Sequence, residues 1–110
     1  MRNCRYELRY LPLFYEELDH DVSYIAYELG NQDVANRLLD DVETAILKRL
    51  EDGPELFEEV PAVKERHSKY FRIYVRNYVI YYTVIDEDDS RIMEVRRFLH
   101  AREDRYRKLS

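Results

Sequence analysis

Two stretches of the chain repeat apolar residues every three or four positions, which is the spacing of an amphipathic α-helix. The repeated residues are Phe14, Leu18, Val22, Ile25 and Leu29 in the first stretch, and Val34, Leu38, Val42, Ala45, Ile46 and Leu50 in the second. Gly30 is placed to end the first helix, and Gly53 with Pro54 ends the second. Asn31 and Asp33 lie between the two stretches as possible helix caps. The pattern therefore predicts a helical hairpin with a short turn.

On either side of this hairpin the apolar spacing falls to two, which is the spacing of a β-strand. Residues 4–10 alternate loosely and form the first predicted strand, and residues 70–76, 78–85 and 91–99 form three more. The turn at Asn77 and the acidic turn at residues 86–90 separate these last three strands. The order β-α-α-β-β-β predicts an α+β domain in which the helical hairpin packs on an antiparallel sheet.

Length and composition fit this interpretation. A chain of 110 residues with 45% apolar and 37% charged side chains is expected to form a single domain, residues 1–110. No apolar run approaches the ~18 residues of a membrane span, and the start lacks the apolar segment of a secretory signal, so we expect a cytoplasmic protein without a membrane partner. The lone Cys4 predicts no internal disulfide. No motif indicates a metal or another cofactor.

Charge is unevenly distributed between the two halves of the chain. Residues 1–63 carry 15 acidic and 6 basic side chains, whereas residues 64–110 carry 8 acidic and 12 basic ones. The overall net charge of −5 argues against a nucleic-acid partner, but the basic C-terminal half could bind an anionic target. The alternative is that charges of both signs solvate two surfaces without further function.

Three segments carry a resemblance to a known family. The opening YELRYLPLFYEELDHDVSYIAYEL, the paired strands YFRIYVRNYVIYYTV and the closing VRRFLHAREDRY resemble, in order and spacing, the toxins of the RelE/ParE family. This resemblance implies a toxin that a cognate antitoxin holds inactive and that blocks growth when the antitoxin is degraded. RelE-like members cut messenger RNA in the ribosomal A site, whereas ParE-like members inhibit DNA gyrase and need no catalytic residues.

Cleavage of RNA by its own 2′-hydroxyl needs a base, an acid and cations around the phosphate. The resemblance places Arg72 at a basic strand position of RelE-like nucleases and Arg102 at the basic position after their last strand. Tyr106 lies near the tyrosine of their C-terminal segment. His100 could serve as acid or base, although a structural or partner contact is an open alternative. These four residues are the catalytic candidates if the protein is a nuclease.

A second group of residues could bind the target. On a strand, Arg72 and Arg76 would share one polar face with Tyr74 between them, forming a basic and aromatic stripe suited to phosphate contact and base stacking. A solvated strand face is the alternative. Arg96 and Arg97 fall on opposite strand faces, so at most one of them joins the polar surface while the other faces the helices or pairs with an acid. Arg97 is included among the target-binding candidates.

One departure from the family pattern weakens the nuclease interpretation. RelE-like nucleases have an arginine just after the aromatic residue of the second C-terminal strand, where this chain has Val79 after Tyr78. We therefore favour a ParE-like toxin, with a RelE-like nuclease and a non-toxic interaction module as alternatives. The antitoxin is expected to bind exposed apolar and basic groups of the sheet half and to fold as it binds.

Overall fold

The computed structural model describes residues 6–61 and 69–104. The elements in chain order are β1 (Tyr6–Tyr10), α1 (Pro12–Ser23), a π-helical segment (Tyr24–Glu28), α2 (Gln32–Asp52), β2 (Tyr70–Val75), β3 (Tyr78–Glu87), β4 (Ser90–His100) and the short α3 (Ala101–Asp104). Cys4 and Tyr106 lie outside the described residues. Within the described ranges, no helix is long and apolar enough to cross a membrane.

The four strands form one sheet in the order β1-β4-β3-β2. Strands β2, β3 and β4 are an antiparallel meander, as the two predicted turns require. Strand β1 pairs with β4 in the parallel direction, with Tyr6 opposite Arg91 and Tyr10 opposite Val95. The predicted α+β fold with two helices on a sheet is confirmed, and its sheet is mixed because the first strand joins β4 in parallel.

The main core lies between the helices and one face of the sheet. Helix α2 contributes Leu38, Val42 and Ile46, and helix α1 contributes Phe14. The strands contribute the larger share of buried side chains, namely Phe71, Ile73, Val75, Ile80, Tyr82, Met93, Val95 and Phe98. Each fully buried aliphatic or aromatic side chain stabilises the fold by about 1.5–3 kcal/mol relative to an exposed one. The two apolar stripes read from the sequence therefore hold the helical hairpin on the sheet.

A second apolar cluster lies on the opposite face of the sheet. It comprises Val60, Tyr70, Val79, Tyr81 and Leu99, each at most 8% exposed. Val60 joins this face through its backbone, because its N–H donates to the carbonyl of Tyr70 at 2.7 Å. Both faces of the sheet are therefore packed around its centre, and a substitution of a buried residue on either face is a core substitution.

The end of the first helix departs from the predicted stripe. The N–H of Leu29 donates to the carbonyl of Tyr24, five residues back, instead of the residue four back. This wider turn shifts the later side chains around the helix axis, and Leu29 is 60% exposed. The placement of Leu29 on the buried stripe is therefore wrong. Gly30 then adopts φ 64°, and the side chain of Asn31 caps α2 by accepting from the N–H of Val34 at 3.1 Å.

Tyr82 ties the end of α2 to the sheet. Its side chain is fully buried, and its hydroxyl donates to the carbonyl of Pro54 at 2.6 Å. The same hydroxyl accepts from Nη1 of Arg49 at 2.8 Å. Burial raises the pKa of Tyr82 above its ordinary value, while the hydrogen bond and charge of Arg49 oppose the rise. Burial also raises the pKa values of Tyr10 and Tyr78.

These tyrosines predict a loss of stability in alkali. Their pKa values are higher in the folded chain than in the unfolded chain, where a tyrosine titrates near pH 10. Above that pH the unfolded chain loses protons that the folded chain retains, so the free energy of unfolding falls as pH rises through the folded pKa. Urea unfolding at about pH 8 and about pH 11 measures this fall.

The variant Tyr82→Phe is expected to reduce stability at neutral pH by about 1–3 kcal/mol, because Pro54 and Arg49 lose their partner. It should also make the alkaline fall shallower, since one titrating group is gone. Tyr74→Phe is the control because Tyr74 is 63% exposed, and it should match the native chain at both pH values. An equally steep alkaline fall in Tyr82→Phe would contradict the assignment to Tyr82.

Candidate functional site

Two of the catalytic candidates project from opposite faces of the sheet. Arg72 lies opposite Tyr81 of β3, which belongs to the second apolar cluster. His100 lies opposite Tyr78, whose ring stacks on the core residue Phe98 at 4.8 Å between centroids. The rings of His100 and Tyr78 are 5.4 Å apart. Since side chains alternate between faces along a strand, the sheet separates Arg72 from His100.

His100 and Arg102 are brought together, but through the backbone. Nδ1 of His100 accepts from the backbone N–H of Arg102 at 3.1 Å, at the start of α3. This hydrogen bond uses one nitrogen of the imidazole and holds the chain in place directly after β4. Arg102 itself is exposed. The fourth catalytic candidate, Tyr106, is outside the described residues.

The expected basic and aromatic stripe is present only in part. Arg72 and Tyr74 share a strand face, with the Arg72 guanidinium 5.7 Å from the centre of the Tyr74 ring. Arg76 does not join them, because β2 ends at Val75 and Arg76 has a left-handed backbone with φ 54°. Its guanidinium instead forms an ion pair with Asp41 of α2, on the helical side of the sheet. The expected sharing of one face by Arg72 and Arg76 is therefore wrong.

Arg97 is held by a carboxylate of α1. Its Nε and Nη2 both donate to Glu17, with the shorter distance 2.6 Å. Glu17 also accepts from the backbone N–H of Phe98 at 2.9 Å. Among the described residues, β1 ends opposite Val95 and no strand pairs with the outer edge of β4 beyond that point, where the carboxylate of Glu17 accepts a backbone hydrogen bond instead. Of the two alternatives for Arg97, pairing with an acid is the one observed.

Glu17 was not among the residues predicted from the sequence. It is one of several acidic residues off the apolar stripe of α1, and helical spacing alone gave it no role. Two facts taken together could have identified Glu17. A strand longer than its neighbour exposes backbone N–H groups, and an acid on the side of an adjoining helix that faces the strand is suited to accept from them.

Val79 occupies the position of the expected phosphate-binding arginine. It is 0% exposed and lies between Tyr74 of β2 and Leu99 of β4 in the strand register. A charged side chain at this position would have to be buried in the second apolar cluster. The departure noted in the sequence is therefore a structural one, because this part of the sheet face is packed and not open to a phosphate.

A groove of about 310 Å³ lies between α1, α2 and the end of β1. Its apolar lining is formed by Phe14, Leu18, Val42 and Ile46, together with Tyr10, Tyr15 and Leu39. Tyr15 is 54% exposed and Leu39 is 40% exposed, so apolar surface faces solvent along the rim. Exposed apolar side chains around a concave surface are typical of a binding site for a partner segment.

Two carboxylates, Asp40 and Glu43, also line the groove. Both side chains are exposed, and neither forms an ion pair within the described part of the chain. The pKa of Tyr10 is raised by burial first, and the charge of Glu43 contributes in the same direction. The groove therefore combines an apolar lining with a negative potential.

This groove was not predicted, since the charge pattern of the sequence favoured a partner surface on the sheet half. A signal was present in the helical stretches. Tyr15 and Leu39 are large apolar residues that fall off the buried stripes, and each lies beside a stripe residue facing the other helix. Off-stripe apolar residues on two neighbouring helices indicate a shared exposed surface once the helices are known to be antiparallel neighbours.

Comparison with known proteins identifies a family. A sequence-family model, described as the ParE toxin of the type II toxin-antitoxin system parDE, matches residues 8–105. The matched region contains α1, α2, β2, β3 and β4 completely and β1 from Leu8 onward. No curated protein matches the chain significantly.

Proposed function

Because the chain belongs to the ParE toxin family of type II toxin–antitoxin systems, we propose that it inhibits growth without cutting RNA and that DNA gyrase is its target. The chain is the toxin component of such a system and has an antitoxin as its partner. The residues 1–110 would form one toxin domain, and a toxin directed at gyrase would act in the cytoplasm.

The separation of Arg72 from His100 carries the non-nucleolytic part of this proposal. General acid–base cleavage needs the base, the acid and the phosphate-binding cations within hydrogen-bond reach of one phosphodiester. Arg72 projects from one face of the sheet and His100 from the other. A single phosphate that contacts Arg72 therefore lies on the far side of a packed strand from the imidazole.

The pairing of two further arginines with carboxylates supports the same proposal. Arg97 is bound to Glu17, and Arg76 is bound to Asp41. An arginine with a carboxylate partner has less charge to offer a phosphate, and moving it costs the existing ion pair. Val79 leaves a buried apolar side chain where RelE-like nucleases would place a further arginine. Tyr74 and Arg72 share one face of β2, and binding of a target there would require no bond cleavage.

The antitoxin is proposed to bind the groove between α1 and α2. The support is the apolar lining of the groove and the exposed rims at Tyr15 and Leu39. An antitoxin segment that covers these side chains would remove apolar surface from water, which stabilises a complex by about 25 cal/mol for each Å² buried.

Induced expression in a bacterial host without an antitoxin tests the toxin proposal. The native chain and the double variant Arg72→Ala, His100→Ala are both expected to arrest growth and to leave transcripts intact. Purified native protein should inhibit the supercoiling of plasmid DNA by gyrase. The control double variant Arg37→Ala, His20→Ala removes the same two residue types from exposed positions of the helices.

Three other outcomes would change the conclusion. Cut transcripts with the native chain and the control, but not with the Arg72 and His100 variant, would establish the RelE-like nuclease alternative. Arrest with intact transcripts and unaffected gyrase would indicate another target. Normal growth with all three chains would indicate a non-toxic interaction module of the same fold.

A further inference from the structure

The turn between the two long helices exposes large apolar side chains. Tyr24, Tyr27 and Leu29 lie within six consecutive residues, and they are 52%, 78% and 60% exposed. A Cβ atom added at the next residue, Gly30, would meet nothing within 4 Å, so the space beside these side chains is open. None of the three residues lines the groove between α1 and α2. Exposed apolar patches on a folded chain often mark a site of protein interaction.

Backbone hydrogen bonds fix the conformation of this turn. The N–H of Leu29 donates to the carbonyl of Tyr24 at 3.1 Å, and the N–H of Asn31 donates to the carbonyl of Ile25 at 3.0 Å. The turn, residues 24–33, is called the hairpin tip below. A tyrosine side chain has only two torsions to fix on binding. Exposed tyrosines on a hydrogen-bonded turn therefore bind a partner at a low cost in conformational entropy.

The hairpin around the tip is acidic. Residues 21–47 contain six acidic residues and one basic residue, Arg37, so this stretch has a net charge of −5. Glu28 and Asp33 belong to the tip and are exposed, and neither forms an ion pair within the described ranges of the chain. A partner surface with lysine or arginine residues around an apolar pocket is therefore complementary to the tip in both charge and polarity.

Two other occupants fit the tip less well. A second copy bound symmetrically would place Glu28 and Asp33 against the same carboxylates of the other copy, and like charges repel. The antitoxin is proposed for the groove, whose lining on α1 ends at Leu18. Leu18 and Tyr24 are six residues apart, or about 9 Å at 1.5 Å per residue. A segment bound in the groove therefore lies beside the tip and leaves too little space for a large partner there.

We propose that the hairpin tip is the surface through which the toxin contacts its protein target, at an apolar pocket surrounded by lysine or arginine residues. This step rests on the proposed function, and it adds the contact surface of the toxin and the chemistry of the target site. Tyr27 and Leu29 enter the pocket, and Glu28 and Asp33 pair with the surrounding cations. An antitoxin in the groove then excludes the target without covering the tip itself.

Two double variants test the apolar contact. The tip variant is Tyr27→Ala, Leu29→Ala, and the control Leu47→Ala, Leu56→Ala removes two exposed apolar side chains elsewhere. Growth arrest is measured against the amount of toxin in induced cells, and binding to purified DNA gyrase is measured by biolayer interferometry. The tip variant is expected to bind about tenfold more weakly or worse, and to need correspondingly more toxin for arrest, since tyrosines are frequent binding hot spots. The control should match the native chain.

A neutralised pair tests the charge contact. Glu28→Gln, Asp33→Asn is expected to weaken gyrase binding at low salt, and the loss should shrink at high salt, where charges are screened. The control Glu51→Gln, Glu58→Gln makes the same change in net charge at exposed acids outside the tip, and it should keep native binding. Urea unfolding should give native stability for all four variants, because every altered side chain is exposed.

The outcomes separate this surface from the toxin function. Native arrest that both tip pairs retain in full would overturn the inference and leave the toxin function standing. Equal weakening by the tip and control variants would also overturn it, because no particular surface would then be responsible. Loss of arrest in the tip pairs at native stability would support the inference, even if gyrase is not the protein bound. A native chain that neither arrests growth nor binds gyrase would overturn the proposed function and this inference together.

Discussion

Val79→Arg is expected to destabilise the fold by about 4 kcal/mol, which corresponds to a fall in melting temperature of roughly 15–30 °C. Val79 is 0% exposed and belongs to the apolar cluster on the sheet face away from the helices. An arginine there would carry an unpaired charge into that cluster, and a buried charge without a partner costs several kcal/mol. Thermal unfolding followed by circular dichroism measures the change.

Tyr74→Arg is the matched control. Tyr74 lies directly opposite Val79 in the register of β2 and β3, and it is 63% exposed. The same charge is therefore added one strand away, in water, where surface substitutions change stability by about 0.5 kcal/mol or less. If Val79→Arg had a melting temperature close to that of Tyr74→Arg, the second apolar cluster would have to open easily. This face of the sheet could then accept a phosphate.

The expected result has a consequence for the family comparison. Introducing the arginine that RelE-like nucleases carry is not expected to convert this chain into a nuclease, because a buried arginine would weaken the fold without reaching a phosphate. The replacement of a functional cation by a buried valine is coupled to the packing of its neighbours Tyr81 and Leu99. Several positions would have to change together to open this face of the sheet.

Local periodicity was sufficient to predict the helices, the strands and their order. Apolar residues three and four apart can lie together only on a helix, and residues two apart only on a strand. Side chains such as Leu38 and Phe71 follow these spacings and lie in the main core. The cap at Asn31 was accessible for the same reason, since a side-chain cap acts within one turn of its own residue.

Long-range pairing was not accessible from the sequence. Alternation along β1 shows which side chains share a face, but it does not show which strand lies beside them. The parallel pairing with β4 therefore could not be predicted, and neither could the hydrogen bond from the edge of β4 to Glu17. The exposure of Leu29 follows from one π-helical turn, and a single shifted hydrogen bond leaves the apolar spacing unchanged.

The candidate site shows the same limit. Arg72 and His100 were chosen individually by type and position, and each lies on a strand as expected. Whether two residues 28 positions apart face the same side depends on strand register and on the bulge in β4 between the partners of Tyr81 and Tyr82. The prediction for Arg76 was wrong because its own backbone is left-handed directly after β2, which turns its side chain toward Asp41.

Phe14→Ala is expected to destabilise the fold by about 3–5 kcal/mol, the cost of removing a buried aromatic ring that its surroundings cannot replace. Phe14 is 1% exposed, and its ring contacts Tyr10 at 5.4 Å and Phe98 at 6.1 Å between centroids. It packs α1 against both β1 and β4. Urea unfolding at neutral pH measures the loss.

Leu13→Ala is the control, because Leu13 is the preceding residue of the same helix and is 43% exposed. It should cost far less than Phe14→Ala, since an exposed leucine loses little burial on truncation. A loss below about 1 kcal/mol for Phe14→Ala would contradict the prediction, because it would mean that the core collapses around the missing ring.

Phe14→Leu separates stability from partner binding at this position. Leucine keeps an apolar side chain of most of the volume, so the fold should lose less than with alanine. The side chain of Phe14 also lines the groove, so the loss of its ring removes part of the groove's apolar lining. Antitoxin binding should therefore weaken in Phe14→Leu while the variant stays folded. Because a ligand that binds only the folded chain stabilises it, the native toxin should also gain more stability from its antitoxin than Phe14→Leu does.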